Sequence, residues 1–409
     1  MKSPSCARNC DVASTRPMVS ARGLVMVVLL VVLLAPIVAS AAPPPLVGAT
    51  EVVKVAPSGG FVDDAIAADG QRLAYVVADT AAKAELHVVT LATKQEQVID
   101  LAGVTLHPVA LELVGTRAFV VGATDDGKQL AALVETAEKG KGKVVYKLAP
   151  ATHITVIVRD GKSRVAVHRA SASKTGTRHE VELVALETGA RIGAVRALEL
   201  DAGGTSKALD LRVNHWGDGF TRAYGVKGGD WDKKEDQRSP DIEATYDLVQ
   251  GKIVERSPIT DLFEQRKRFQ ALADAGGRVD FLRTTTDNTG VQLWRAGKGR
   301  AVELDQPFAS YDPKSVQGSV LPDGSAWLAL KVDPVNADAV ARKKADVEYL
   351  DIFRVSTEGK GVRKARVPAV GVRHRFGVAA GGNRFWLLER NQGFERGGKS
   401  IALYELAAN

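Results

Sequence analysis

Cysteine is almost missing from this chain. Its 409 residues hold two, Cys6 and Cys10, both within the first ten positions. Once that N-terminal stretch is removed, disulfides, cysteine-ligated metals and cysteine nucleophiles are excluded together. Familiar catalytic signatures are missing too. No Gly-x-Ser-x-Gly elbow occurs, so a hydrolase built on that elbow lacks its serine. His179-Glu180 runs on into Val181-Glu182-Leu183 and forms no His-Glu-x-x-His zinc pair. Gly122 to Lys128 fits the opening of a phosphate loop, but Gln129 stands where Ser or Thr must follow, and Asp125 and Asp126 lie inside it. That stretch reads as a hairpin loop. No cofactor is expected.

Long apolar runs are scarce as well, and the one present is informative. Residues 23–38 (GLVMVVLLVVLLAPIV) are almost wholly apolar, follow Arg16 and Arg22, and precede the small-residue pattern Ala39-Ser40-Ala41. This is the pattern of a secretory signal, expected to span residues 1–41 with cleavage after Ala41. Met18 is an alternative start that shortens the basic region. No Arg-Arg pair precedes the run, which favours the general secretion route over the twin-arginine route. An uncut anchor is the other reading, since residues 23–42 just reach the roughly 20 residues a bilayer requires. Either way the bulk of the chain is expected outside the cytoplasm, periplasmic or extracellular, with no membrane span in the mature protein.

Charge of one sign is not in large excess. The chain has 55 Lys+Arg and 48 Asp+Glu; without Lys2, Arg8, Arg16, Arg22 and Asp11 these become 51 and 47, and the net charge falls from +7 to +4. So small a surplus argues against a nucleic-acid partner. The hydrophobic share, 45%, suits a folded domain rather than a disordered chain.

Glycine is plentiful and periodic. Turns at Asp69-Gly70, Gly115-Thr116, Asp160-Gly161, Asp218-Gly219, Gly276-Gly277, Asp323-Gly324 and Gly381-Gly382 recur at intervals of 45, 46, 58, 58, 47 and 58 residues. Such pairs tolerate positive φ and suit tight hairpins. A nearly continuous apolar strand follows each turn: residues 73–77 (LAYVV), 118–121 (AFVV), 165–168 (VAVH), 223–226 (AYGV), 279–282 (VDFL), 326–330 (AWLAL) and 385–388 (FWLL). Unbroken apolarity marks strands covered on both faces. Third strands follow, ending with residues 401–406 just before Asn409, so the last unit lacks a fourth. Residues 51–55 (EVVKV) form a spare strand at the other end. Pairing it beside residues 401–406 completes the count and removes an exposed edge. The expected fold is all-β: one seven-bladed β-propeller over residues 42–409, closed by the N-terminal strand, and monomeric.

Two units carry a resemblance. Residues 67–76 (AADGQRLAYV) with 85–91 (ELHVVTL), and residues 321–328 (LPDGSAWL), are similar to the WD40-like (PD40) repeat of TolB-type β-propellers. The resemblance implies a propeller and a cell-envelope role. It transfers no catalytic residue.

In such a fold the glycine turns lie on one face. The segments leading into first strands share the other face with the loops joining second to third strands. Two of those loops are long, residues 227–240 and 333–346, and length concentrates where function usually does. Arg266, Lys267 and Arg268 lead into one first strand and Arg373, His374 and Arg375 into another, which makes one basic patch for carboxylate or phosphate groups. Solvated charge or salt bridges to Asp63, Asp64 and Asp312 is the plainer alternative. Tyr311 leads into a first strand on the same face. Trp231 stands among acids in the 227–240 loop as a partner anchor. Asp230, Asp232 and Asp236 offer oxygens to calcium, although Lys234 and Glu235 break the EF-hand pattern. His107, His153 and His374 begin first strands and are metal candidates at the channel rim.

The function expected is an exported binding scaffold, its partner a cell-envelope protein or an acidic small ligand. The alternative is a propeller enzyme of hydrolase, lactonase or lyase type with its site at the channel mouth. Propellers host both classes.

Overall fold

A computed structural model describes residues 46–407, apart from 57–60, 81–82, 102–107, 125, 137–142, 160–161, 174–175, 200–209, 216–219, 227–240, 260–268, 275–278, 286, 296–297, 322, 334–348, 369–372, 380–381 and 391–397. The proposed leader and the 227–240 loop thus lie outside the described residues, as does nearly all of the 333–346 loop. Residues Pro44–Asn409 form one compact unit. Among the described residues no helix is long and apolar enough to cross a membrane.

The described residues are all-β apart from two three-residue 3-10 turns, Phe308–Ser310 and Pro313–Ser315. One strand, β1 (Ala49–Val55), stands apart from its sequence neighbours. The others run in order through antiparallel meanders. The first sheet is β2 (Phe61–Ala68), β3 (Arg72–Thr80), β4 (Lys83–Thr90) and β5 (Glu96–Asp100); the second is β6 (Pro108–Val114), β7 (Arg117–Ala123), β8 (Gln129–Glu135) and β9 (Val144–Ala151). The third is β10 (His153–Arg159), β11 (Lys162–Ser173), β12 (Gly176–Ala185) and β13 (Arg196–Leu198); the fourth is β14 (Asp210–His215), β15 (Phe220–Val226), β16 (Asp241–Asp247) and β17 (Lys252–Ile259). The fifth is β18 (Phe269–Asp274), β19 (Val279–Thr284), β20 (Val291–Arg295) and β21 (Lys298–Ala301).

The sixth sheet has five strands. A short parallel strand, β22 (Glu303–Leu304), pairs along the outer edge of β26 (Lys360–Pro368), beyond β25 (Tyr349–Val355), β24 (Ala326–Lys331) and β23 (Gln317–Val320). The seventh joins β27 (Arg373–Val378), β28 (Arg384–Arg390) and β29 (Gly398–Leu406) to β1, with Val53 opposite Leu403 and Val55 opposite Ile401. Val47 also makes both backbone hydrogen bonds to Arg366, so the segment before β1 touches the sixth sheet.

Second strands are buried on both faces, as their composition demands: Leu73, Ala74, Tyr75 and Val76 are all enclosed, and so are residues 118–121 and 326–330. Their two faces serve two different seams. Val120 and Ala118 pack toward the first sheet with Ala74 and Leu86, whereas Phe119 and Val121 pack toward the third with Ile154 and Val167. Equivalent clusters join the third sheet to the fourth, the fifth to the sixth, and the sixth to the seventh. One more cluster sets Leu73 and Tyr75 of the first sheet against Trp386, Leu388 and Leu403 of the seventh.

On the face bearing the glycine turns, arginines tie one sheet to the next. Arg72, two residues after Gly70, donates to the Gly115 carbonyl at 2.5 Å and is fixed by Asp69 at 2.6 Å. Arg117, two residues after Gly115, donates to the Glu187 carbonyl at 3.2 Å and is fixed by its cross-strand partner Glu135. Arg384, two residues after Gly382, donates to the Gly70 carbonyl at 2.7 Å and is fixed by its partner Glu405. Arg196 reaches the carbonyls of Leu248 and Val249, and Arg300 that of Glu358. Arg196 lies so close over Gly251, at φ +69°, that any β-carbon there would collide with the guanidinium.

Candidate functional site

The residues expected to carry function fall into three groups. Arg266, Lys267, Arg268, Trp231, Asp230, Asp232, Asp236 and His107 lie outside the described residues. Arg373, His374 and Arg375 open β27, the first strand of the seventh sheet, where their backbones pair with Arg390, Glu389 and Leu388. His153 and Tyr311 form the third group. Tyr311 is only 3% exposed: its hydroxyl donates to Asp351 at 2.8 Å, and its ring meets Phe353 edge-on. Burial and the neighbouring Asp351 carboxylate hold that hydroxyl protonated well above the ordinary tyrosine range.

Asp351 is the hub of that cluster. It is wholly enclosed in β25, and Arg366 grips it bidentately at 2.6 and 2.7 Å, with Arg363 adding a contact at 3.3 Å. The hydrogen bonds to Asp351 raise the Arg366 guanidinium further, and Arg366 also lies over the Tyr349 ring. A buried carboxylate with this many charge-assisted donors is a structural pin, because its desolvation is offset only by the complete set.

His153 begins β10 directly opposite His168 of β11, and His168 is joined to His179 of β12 by a 3.0 Å hydrogen bond between Nε2 and Nδ1. His168 and His179 are buried and stacked. The strand registers thus set three imidazoles in a row across one sheet. Burial pulls His153 down to about 4; burial together with the fields of His179 and His153 pulls His168 down to about 3. With His168 neutral, one ring of the buried pair donates the hydrogen bond and the other accepts it. Among the described residues no three His, Cys, Asp or Glu side chains converge on a point that could hold a metal.

A second histidine cluster sits on the first sheet. His87 stacks on Tyr75 at 4.9 Å, its Nδ1 lies 2.9 Å from Glu96, and the Tyr75 hydroxyl donates to that same carboxylate. Glu85 stands 3.8 Å from the other ring nitrogen.

One cleft among the described residues lies between the second and third sheets. Its volume is about 340 Å³, and it is lined by residues 109–112 of β6, Phe119 and Val121 of β7, Gln129 of β8 and residues 153–156 of β10. β6 and β10 are the first strands of their sheets, so their free edges border the cleft. One free-edge amide, that of Ile154, is satisfied by the Gln129 carboxamide oxygen at 2.7 Å. The device recurs where Gln317 accepts from the Phe376 amide of the next sheet at 2.8 Å. The expected hairpin at residues 122–128 forms beside it, with Gly127 at φ +77° and the Thr124 amide donating to the Lys128 carbonyl.

No family model matches the chain, and no curated protein matches it. Solved structures do. The β-propeller domain of the trilobed protease from Pyrococcus furiosus is 11% identical with a TM-score of 0.47, over 86% of this chain and 99% of that one. A polysaccharide lyase, an ulvan lyase, is 8% identical with a TM-score of 0.49, over 89% and 96%. The acylaminoacyl peptidase of Pyrococcus horikoshii is 9% identical with a TM-score of 0.46, over 81% of this chain and 49% of that one. The architecture is propeller-like: successive antiparallel meanders of four strands, one with a fifth strand at its edge, with apolar seams among the described residues at the junctions named above. No activity or residue role passes from those proteins to this one.

Two features of the site escape sequence reasoning. The histidine row depends on hairpin registers that spacings of 15 and 11 residues do not reveal. The arginine ties did leave a signal: Gly70-Gln71-Arg72, Gly115-Thr116-Arg117 and Gly382-Asn383-Arg384 repeat a Gly-x-Arg spelling.

Proposed function

We propose that this chain is an exported seven-bladed β-propeller that serves as a binding scaffold, its recognition surface the face opposite the glycine turns. Residues 1–41 act as the secretory signal, cut after Ala41, and residues 42–409 work as a monomer in the periplasm or outside the cell. The observation that carries the reading is the composition of the seventh sheet. β1 and β29 come from opposite ends of the chain, and Arg384 of the same sheet ties to Gly70 of the first. That contact between the first and seventh sheets supports a ring of seven blades on which loops can vary, the platform a recognition surface needs.

The basic segment 266–268, which precedes the first strand of the fifth sheet in sequence, and residues 373–375, which open the first strand of the seventh, supply the patch for an acidic ligand or an acidic area of a cell-envelope protein. Trp231 anchors the partner from the long loop. The test is affinity capture from cell-envelope extracts with the full chain and with an Arg373→Glu, Arg375→Glu variant. Loss of the captured partner supports the reading; an unchanged catch overturns it.

A second reading, an enzyme working at the channel mouth, draws on Glu112 and His153 lining one cleft. It requires a turnover that both Glu112→Gln and His153→Ala abolish.

A further inference from the structure

We infer that the projecting end of the β11–β12 hairpin is a docking edge, to which an extended, acidic peptide segment of a partner protein adds as a further strand. The inference rests on the scaffold reading and deepens it. The hairpin stands on the face proposed for recognition, outside the basic patch.

β11 and β12 are the second and third strands of the third sheet, so the turn joining them lies at the end away from the glycine turns. Their ladder runs on past both neighbours. β10 reaches only as far as His168, through His153, and β13 only as far as His179, through Leu198. Beyond both, Ser171 pairs with Arg178, Ala172 with Thr177 and Ser173 with Gly176, with no shift of register. At about 3.3 Å per residue, these pairs carry the ribbon about 10 Å past the sheet.

Such a ribbon has no core of its own. Ala170, Ser171, Ala172, Thr177 and Arg178 are all exposed, and two strands without a packed face are marginal in water. Nor is its edge defended. Open strand edges are ordinarily blunted by a bulge, a proline or a charge, whereas β11 from Ala170 to Ser173 alternates only alanine and serine in an unbroken register. The open side is the one toward β10. The Ala170 amide points that way, because it donates to the Thr152 hydroxyl oxygen at 2.7 Å. Backbone groups alternate in direction along a strand, so Ala172 presents its N–H and C=O on the same side. It lies beyond the end of β10, and among the described residues no strand pairs with it there. Small side chains let a second backbone approach, and an added strand gains its affinity from main-chain hydrogen bonds.

Charge selects the segment. Residues 170–179 (ASASKTGTRH) contain Lys174 and Arg178 and no acid. Arg178 is 63% exposed, and its 2.6 Å pair with Glu180 is of the solvated kind that contributes little. At the base of the ribbon the Glu182 carboxylate is already compensated by Arg169 and Arg191. An acidic strand therefore meets net positive charge, and a basic one is repelled.

The probes are the end-blocked peptide Glu-Val-Thr-Val-Thr-Glu, the same peptide N-methylated at every amide, and the basic counterpart Lys-Val-Thr-Val-Thr-Lys. Each is titrated into the full chain and followed by NMR and hydrogen exchange of backbone amides. The acidic peptide is expected to bind and to slow exchange of the Ala172 amide, the basic one to bind about tenfold more weakly, and the methylated one not to bind. Ala172→Pro is expected to weaken binding about tenfold or more, since it deletes only the outward N–H and spares the bonds to β12. Equal binding by the methylated peptide, or by Ala172→Pro, overturns the main-chain pairing. Equal binding by the basic peptide overturns the charge assignment, and no binding at about 10 mM overturns the site. A dimer of the chain that Ala172→Pro dissolves would make a second copy the occupant and overturn the peptide assignment. The comparison of the three peptides on the unaltered chain remains decisive even if the variant fails to fold. Failure of the scaffold reading would show instead in the capture experiment with the Arg373 and Arg375 variant, which these probes do not touch.

Discussion

Arg384 donates a hydrogen bond to the carbonyl of Gly70, a residue 314 positions earlier in the chain. The same contact joins Arg72 to Gly115 between the first and second sheets. The seventh and first sheets are therefore related as the first and second are. Charge-assisted hydrogen bonds of this kind contribute about 1–3 kcal/mol each. Arg384→Ala should lower stability by about 1–2 kcal/mol in urea unfolding, and Arg72→Ala by a similar amount. A value near zero for Arg384→Ala alone would mean that the first and seventh sheets part in solution.

Asp351 makes the sharper test of the core. Asp351→Ala leaves Arg366 and Arg363 without their shared carboxylate, and breaking a buried ion pair costs about 3–5 kcal/mol. Tyr311→Phe removes one neutral donor and should cost only about 1 kcal/mol. Thermal unfolding of the two variants checks the ranking. Equal losses would show that Tyr311, rather than the arginines, dominates the cluster.

The histidine row predicts a pH dependence with a definite sign. His153 and His168 titrate near 4 and 3 in the folded chain and near 6.5 when unfolded. Between those limits the unfolded chain binds more protons, so stability rises with pH there. Their contribution is complete above pH 6.5 and drains away as pH falls toward 4 and then 3. Urea midpoints measured from pH 7.5 to 4.5 should decline. His168→Gln should flatten that decline, and an unaltered slope in this variant would remove the row as its source.

Gly377 lies opposite Trp386 in the seventh sheet, and a methyl group at Gly377 would fall inside the indole ring. Gly377→Ala should therefore destabilise by about 1–3 kcal/mol through overpacking. Trp386→Leu in the same chain should recover part of the loss. If it recovers none, the strain lies in the backbone and not in the indole contact.

Much of the architecture was legible because it is written in short-range terms. Each tight turn asks for glycine, and each doubly covered strand asks for an unbroken apolar run, so Gly70, Gly115 and Gly324 with the strands behind them mark their sheets. The spare strand at residues 51–55 was legible for the same reason: it had no local partner. The candidate site was far less so. Tyr311 looks from the sequence like a surface aromatic, yet Asp351, forty positions away, draws its hydroxyl inside. The cleft borders Ala110, opposite Val121, and Glu112, opposite Phe119, pairings that follow a register shift between Pro108 and Ala110. No spacing rule encodes such a shift.

The pairing of β1 with β29 has a kinetic consequence. Contacts between remote segments are slow to form, since a long stretch of chain must be ordered before they are rewarded. Until then Trp386, Leu388 and Leu403 present an uncovered sticky flank, the state in which chains of this size aggregate. Conditions that shorten that interval, lower protein concentration or a holding chaperone among them, should raise the refolding yield more than any added stability in the finished molecule.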